Sequence, residues 1–151
     1  MALTYTPIAT ISSSSLVTFS SIPQTYTDLV IRMSFRANAT STLLEIRYNG
    51  SLVSQMLELE NVTATNQSAG YLNNAMPISS STANVYASST LYIKNYTGSY
   101  KGGFYMGGWP TATVHAGLPT ITAAITSLTF NPNSGGFETP STFSLYGVLR
   151  A

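Results

Sequence analysis

The sequence predicts an all-β chain folded as an antiparallel β-sandwich, with a jelly roll of eight or nine strands as the expected topology. Three observations carry this. Nearly every periodic segment alternates with period 2, Gly, Pro, Asn and Ser turns separate the segments, and no stretch beyond about 12 residues sustains a helical period.

The elements follow in order. Leu16–Ser20 is a short strand with Val17 and Phe19 on one face, ended by Ile22-Pro23 because proline cannot donate to a ladder. Gln24–Asp28 leads into the clearest strand, Asp28–Ala37. There Leu29, Ile31, Met33 and Phe35 oppose Asp28, Arg32, Ser34 and Arg36, with only Val30 out of pattern. Leu44, Ile46 and Tyr48 share the next face and run into Asn49-Gly50, the pair best suited to a type I′ hairpin turn. Ser51–Glu60 fits a helical face through Leu52, Met56 and Leu59, and a strand through Leu57 and Leu59. Following a hairpin turn, it is expected to be a strand. Asn61–Asn74 is polar and small and is expected to be a surface loop. Strands are then expected at Thr90–Tyr96, Gly102–Gly108, Thr111–Ala116, within Ile121–Phe130 ("SLTF") and at Ser141–Arg150, where Phe143, Leu145 and Leu149 share a face. Asn131–Pro140 supplies a longer connection.

Composition narrows the function. At 151 residues the chain suits one domain, spanning 1–151, able to bury roughly 68–70% of its unfolded surface without a metal or disulfide. It has no cysteine, which excludes disulfide scaffolds, thiolate metal sites and cysteine nucleophiles. Charged residues make up 7%, against about 25% in ordinary globular proteins, and the net charge is +1. The basic patch that nucleic-acid binding needs is therefore not expected. No apolar run approaches the ~18 residues of a membrane span, and the N-terminus does not read as a signal peptide, so a soluble protein made in a cytoplasm is expected. The sequons at Asn38, Asn49, Asn61, Asn66 and Asn95 arise readily in a chain this rich in Asn, Ser and Thr, and they are read as accidental.

Candidate chemistry is sparse, and no enzyme, cofactor or metal is expected. His115 is the only histidine and has no neighbouring acid in sequence. Glu58 and Glu60 would share a strand face, as paired carboxylates must in glycoside hydrolysis, but surface i, i+2 carboxylates are ordinarily a solvated edge. The richest segment is Tyr92–Trp109, "YIKNYTGSYKGGFYMGGW", which gathers aromatics beside Lys94 and Lys101. Tyr96, Tyr100, Lys101, Tyr105 and Trp109 are candidates for a protein interface or for stacking on a ligand. The alternative is that these aromatics belong to the core of two strands.

Three blocks carry a resemblance: "YTPIATISSSSLVTFSSIPQTYTDLVIRMSFRA", "YIKNYTGSYKGG" and "ITSLTFNPNSGGFETPSTFSLYGVLRA". Together they resemble a β-rich virion module of tailed bacteriophages, frequent in phages of cyanobacteria and other aquatic bacteria. Only about residues 50–85 lack a counterpart. The motifs are strands and turns, so no site residues come with them. The resemblance implies a virion protein assembled in the host cytoplasm, non-enzymatic, and similar to capsid decoration (cement) proteins. As such it would bind the major capsid protein or other virion proteins as a homo-oligomer, expected to be a trimer, with neither nucleic acid nor membrane as partner. The alternative it implies is a tail-fibre or head-appendage module that recognises a host glycan through Tyr96, Tyr100, Lys101 and Trp109. The module starts near Met1 and runs to the last residue, which favours the decoration reading.

Overall fold

The computed structural model describes residues 3–52, 56–60, 63–67, 71–72, 75–110, 112–117 and 121–150. Among them the chain forms thirteen strands. In order these are β1 (Leu3–Ser12), β2 (Val17–Phe19), β3 (Asp28–Phe35), β4 (Leu44–Tyr48), β5 (Ser51–Leu52), β6 (Met56–Glu60), β7 (Thr63–Gln67), β8 (Tyr71–Leu72), β9 (Ala87–Lys94), β10 (Gly102–Gly107), β11 (Thr113–Gly117), β12 (Leu128–Pro132) and β13 (Thr142–Arg150). All pairings are antiparallel. An eight-stranded sheet runs β1-β13-β3-β9-β10-β11-β6-β7, and a second runs β2-β12-β4-β5 with β8 also on β4.

The sandwich expected from the sequence is what forms, with more strands than eight or nine. β1 was not expected. Its inward residues fall at Ile8 and Ile11, because a register shift between Pro7 and Ala9 breaks the alternation. Pro7 thus lies beside the irregularity of an outer strand, where a missing N–H is tolerated. The expected loop Asn61–Asn74 instead contains β7 and β8, with β7 paired to β6 through its backbone. The hairpin turn after β4 forms as expected, with Asn49 and Gly50 both at positive φ (50° and 81°). Leu149 does not join the core with Phe143 and Leu145, being 41% exposed.

The apolar faces of both sheets meet in one core. Leu29, Ile31, Met33 and Phe35 of β3 line the large sheet, while Leu44, Ile46, Leu128 and Phe130 line the small one. Phe143 joins the two. Its ring lies 5.6 Å from Phe35, 5.6 Å from Phe130 across the sandwich and 4.8 Å from Phe137 on the connecting segment. Val30, out of pattern in the sequence, is buried on the opposite, outer face, where its register partners are Tyr92 and Tyr146.

Buried Arg36 organises the loops at one end. Its Nε donates to Glu138 at 2.5 Å, Nη1 to the carbonyls of Thr82 (2.6 Å) and Val85 (3.3 Å), and Nη2 to those of Ser79 (3.2 Å) and Ser81 (3.0 Å). One guanidinium therefore ties two connections together, using the five donors that only arginine offers. Three of the sequon asparagines have comparable tasks. The Asn38 carboxamide accepts from the Gly136 N–H. That of Asn49 accepts from Thr126 and Ser127, and that of Asn95 donates to the Tyr100 carbonyl.

Candidate functional site

The cleft of greatest chemical interest lies where β3, β9, β10 and β13 end together. It has a volume of about 640 Å³ and is lined by Tyr26, Thr27, Asp28, Lys94, Asn95, Thr97, Tyr100, Lys101, Gly102 and Arg150. Strand register builds it, since Asp28 pairs with Lys94 on one side and Val148 on the other, and Lys94 pairs with Gly102.

Asp28, 1% exposed, is the charged floor of this region. It accepts the Tyr92 hydroxyl, the Asn95 N–H at 2.9 Å, and Arg150 through Nε at 2.8 Å and Nη2 at 2.6 Å. Burial by itself would raise this carboxyl's pKa. The donors from Tyr92, Asn95 and Arg150 together outweigh burial and hold it below the ordinary value. Such a lowered group contributes stability above the unfolded-state pKa, about 4, and that contribution is lost as pH falls through the lower folded value. Unfolding midpoints followed from pH 7 to pH 2 are thus expected to fall most below about pH 4. Asp28→Asn should be less stable at pH 7 and show a flatter acid limb; an acid limb as steep as the parent's would contradict the assignment.

The segment from Asn95 to Lys101 forms a braced loop over the cleft. Asn95 sits at φ 54°, a conformation asparagine tolerates. Its carboxamide donates to the Tyr100 carbonyl at 2.7 Å, and the Gly98 N–H donates to the Asn95 carbonyl at 3.0 Å. Buried Lys101 donates to the carbonyls of Gly98, Ile121 (3.3 Å) and Thr122 (3.2 Å), and burial lowers its pKa. Tyr96 turns inward, fully buried, with its hydroxyl donating to the Pro23 carbonyl. Tyr100 turns outward and is 91% exposed.

The five residues singled out from the sequence therefore part company. Tyr100 and Lys101 line the cleft, Tyr100 with a free ring and Lys101 with its ammonium engaged by backbone carbonyls. Tyr96 and Tyr105 are core residues and present no face to a ligand: alternation along β10 points Tyr105 inward, and the turn at Asn95, just past the end of β9, carries Tyr96 inward. The Tyr105 hydroxyl donates within the core to Ser89 Oγ at 2.8 Å, and its ring meets buried His115 edge-on at 5.5 Å. Trp109 is half-buried in the turn between β10 and β11, away from the cleft lining. Glu58 and Glu60 lie in β6, where Glu58 pairs with His115 and Glu60 with Thr113 along the backbone; their side chains fall outside the described residues. No group of three or more His, Asp or Glu gathers for a metal among the described residues.

Asp28 and Arg150 were not singled out from the sequence. The usable signal was scarcity: in a chain with eleven fully charged side chains, a charge at the first or last residue of an apolar strand calls for a local explanation.

The chain matches no protein-family model, no curated protein and no solved structure.

A second surface is apolar. On the outer face of the large sheet, Phe104 (40% exposed) stands between Tyr92 and Ala116 in register, and Met106 (52% exposed) between Thr90 and Val114. These positions alternate with inward Tyr105, so they share one face by strand geometry. Further along the sheet, Leu3 and Tyr5 of β1 are also about half exposed.

Proposed function

We propose that this protein is a non-enzymatic structural component of a phage virion, a jelly-roll capsid decoration protein that attaches as a homo-oligomer to the outer capsid surface and stabilises the head. The observation that carries the reading is the apolar face around Phe104 and Met106. Large apolar side chains held exposed on a rigid sheet favour a covered partner surface, and a contact of about 800 Å² per partner is ordinary for one. Repetition around a local symmetry axis would multiply such contacts into firm attachment.

Strand order supports the jelly-roll part. β1, β13, β3 and β9 in one sheet, facing β2, β12, β4 and the β5/β8 side in the other, follow the path of two interleaved Greek keys. In this reading β10, β11, β6 and β7 are an extension of the first sheet, and they bring Phe104 and Met106 with them.

The tail-fibre or appendage reading is favoured by one observation, the outward ring of Tyr100 on its braced loop. Gold-labelled antibody on intact particles separates the two. Label over the head supports decoration, label confined to the tail or fibres supports the appendage reading, and particles without label overturn both. Because apolar contact rather than ion pairing would hold the protein to the head, raising salt from low to molar concentration is expected to release little of it. Ready release by salt alone would contradict that mode of attachment.

A further inference from the structure

Half of the chain's six basic residues line one cleft. Lys94, Lys101 and Arg150 are there, with Asp28 as the single carboxylate among the lining residues. In a chain with a net charge of +1, this is a local concentration of positive charge in a concave site, where field is focused. The two cations that face outward differ from Lys101, whose ammonium is engaged by backbone carbonyls. Lys94 is exposed and has no ion-pair partner among the described residues. Arg150 gives Nε and Nη2 to Asp28 and Nη2 also to the Tyr92 hydroxyl at 3.2 Å, which leaves Nη1 of a guanidinium more than one-third exposed.

Beside these cations stands the Tyr100 ring, exposed on a loop whose backbone carbonyls at Tyr100 and Gly98 are held by Asn95 and Lys101. Among the rest of the lining, Thr97 supplies a hydroxyl, while Thr27, whose hydroxyl donates to the Val148 carbonyl, and Asn95, whose amide nitrogen donates to the Tyr100 carbonyl, offer their oxygens as acceptors. A flat ring for a C–H face, hydroxyl and amide partners for hydroxyls, and two outward cations describe one chemical class of ligand.

We propose that this cleft binds an acidic saccharide, with its carboxylate held by Lys94 and Arg150 and a sugar ring stacked on Tyr100. Asp28 has a positioning role, since its bonds to Arg150 fix where the guanidinium points. The Asn95 and Lys101 bonds preorganise the loop backbone, so the ordering cost of binding falls on the exposed Tyr100 and Lys94 side chains. The inference concerns the cleft and not the protein's place on a particle; it uses none of the Phe104–Met106 face, so it and the decoration reading fail separately.

Calorimetric titration of the intact protein with tetragalacturonate, and with maltotetraose as an uncharged match, tests it. Tetragalacturonate is expected to bind at least tenfold more tightly than maltotetraose, and to weaken as salt rises. Lys94→Ala and Tyr100→Ala are each expected to lower its affinity at least tenfold with unchanged thermal midpoints, because both side chains are exposed. Absence of binding at millimolar tetragalacturonate, equal affinity for the two probes, or parent-like affinity in either variant would overturn the proposal.

Discussion

Arg36→Ala is expected to cost about 3–5 kcal/mol, because several backbone carbonyls lose their donor at about 1 kcal/mol or more each. At about 150 residues each kcal/mol lowers the thermal midpoint by roughly 2–4 °C, so the loss should be plain in calorimetry or a denaturant titration. The magnitude follows from what is left behind. Removing the guanidinium orphans four carbonyls, those of Ser79, Ser81, Thr82 and Val85, and leaves Glu138 without its cation. Glu138 is partly exposed and can turn to water, so the carbonyls dominate the cost. Arg36→Lys should recover only part of the stability, since a lysine offers three donors at one point where five are needed across a plane. Full recovery by lysine would show that charge, and not the fork, is what the loops require.

The second large effect is expected at Phe143. Phe143→Ala should also cost about 3–5 kcal/mol, through lost transfer energy and the cavity left behind. Three ring contacts go with it, including the one to Phe130 that crosses from one sheet to the other. Phe143→Leu keeps most of the volume and should cost clearly less. Equal losses in the two variants, measured by chemical denaturation, would mean that the ring contacts and not the filled volume hold the sheets together.

The architecture was legible where burial is one-sided. In β3 and β9 one face meets the core and the other, Val30 apart, meets solvent or a polar cluster, so alternation is written into the residues. It fails at β1, where the shift at Ile8 moves the next inward residue to Ile11 and few side chains are buried deeply enough to demand an apolar residue. It fails again at β7, whose Thr, Asn and Gln residues join the sheet by backbone pairing to β6. The cleft was only half visible. Tyr100, Lys94 and Lys101 fall in one aromatic stretch, but Asp28 and Arg150 reach it from strands 122 residues apart, and only the β13–β3 register brings them together. Tyr96 and Tyr105 look like Tyr100 in sequence; what separates them is the side of the strand or loop from which each projects.

The same β13–β3 register bears on how the chain is made. β13 fills the gap between β1 and β3, so the large sheet cannot close until the ribosome has delivered residues 142–150. At about 5–20 residues per second, β3 waits on the order of 5–20 s after synthesis with the edge meant for β13 unpaired. Such an edge is a template for a neighbouring nascent chain. Yield would then depend on how long that edge stays open as well as on the stability of the finished sandwich.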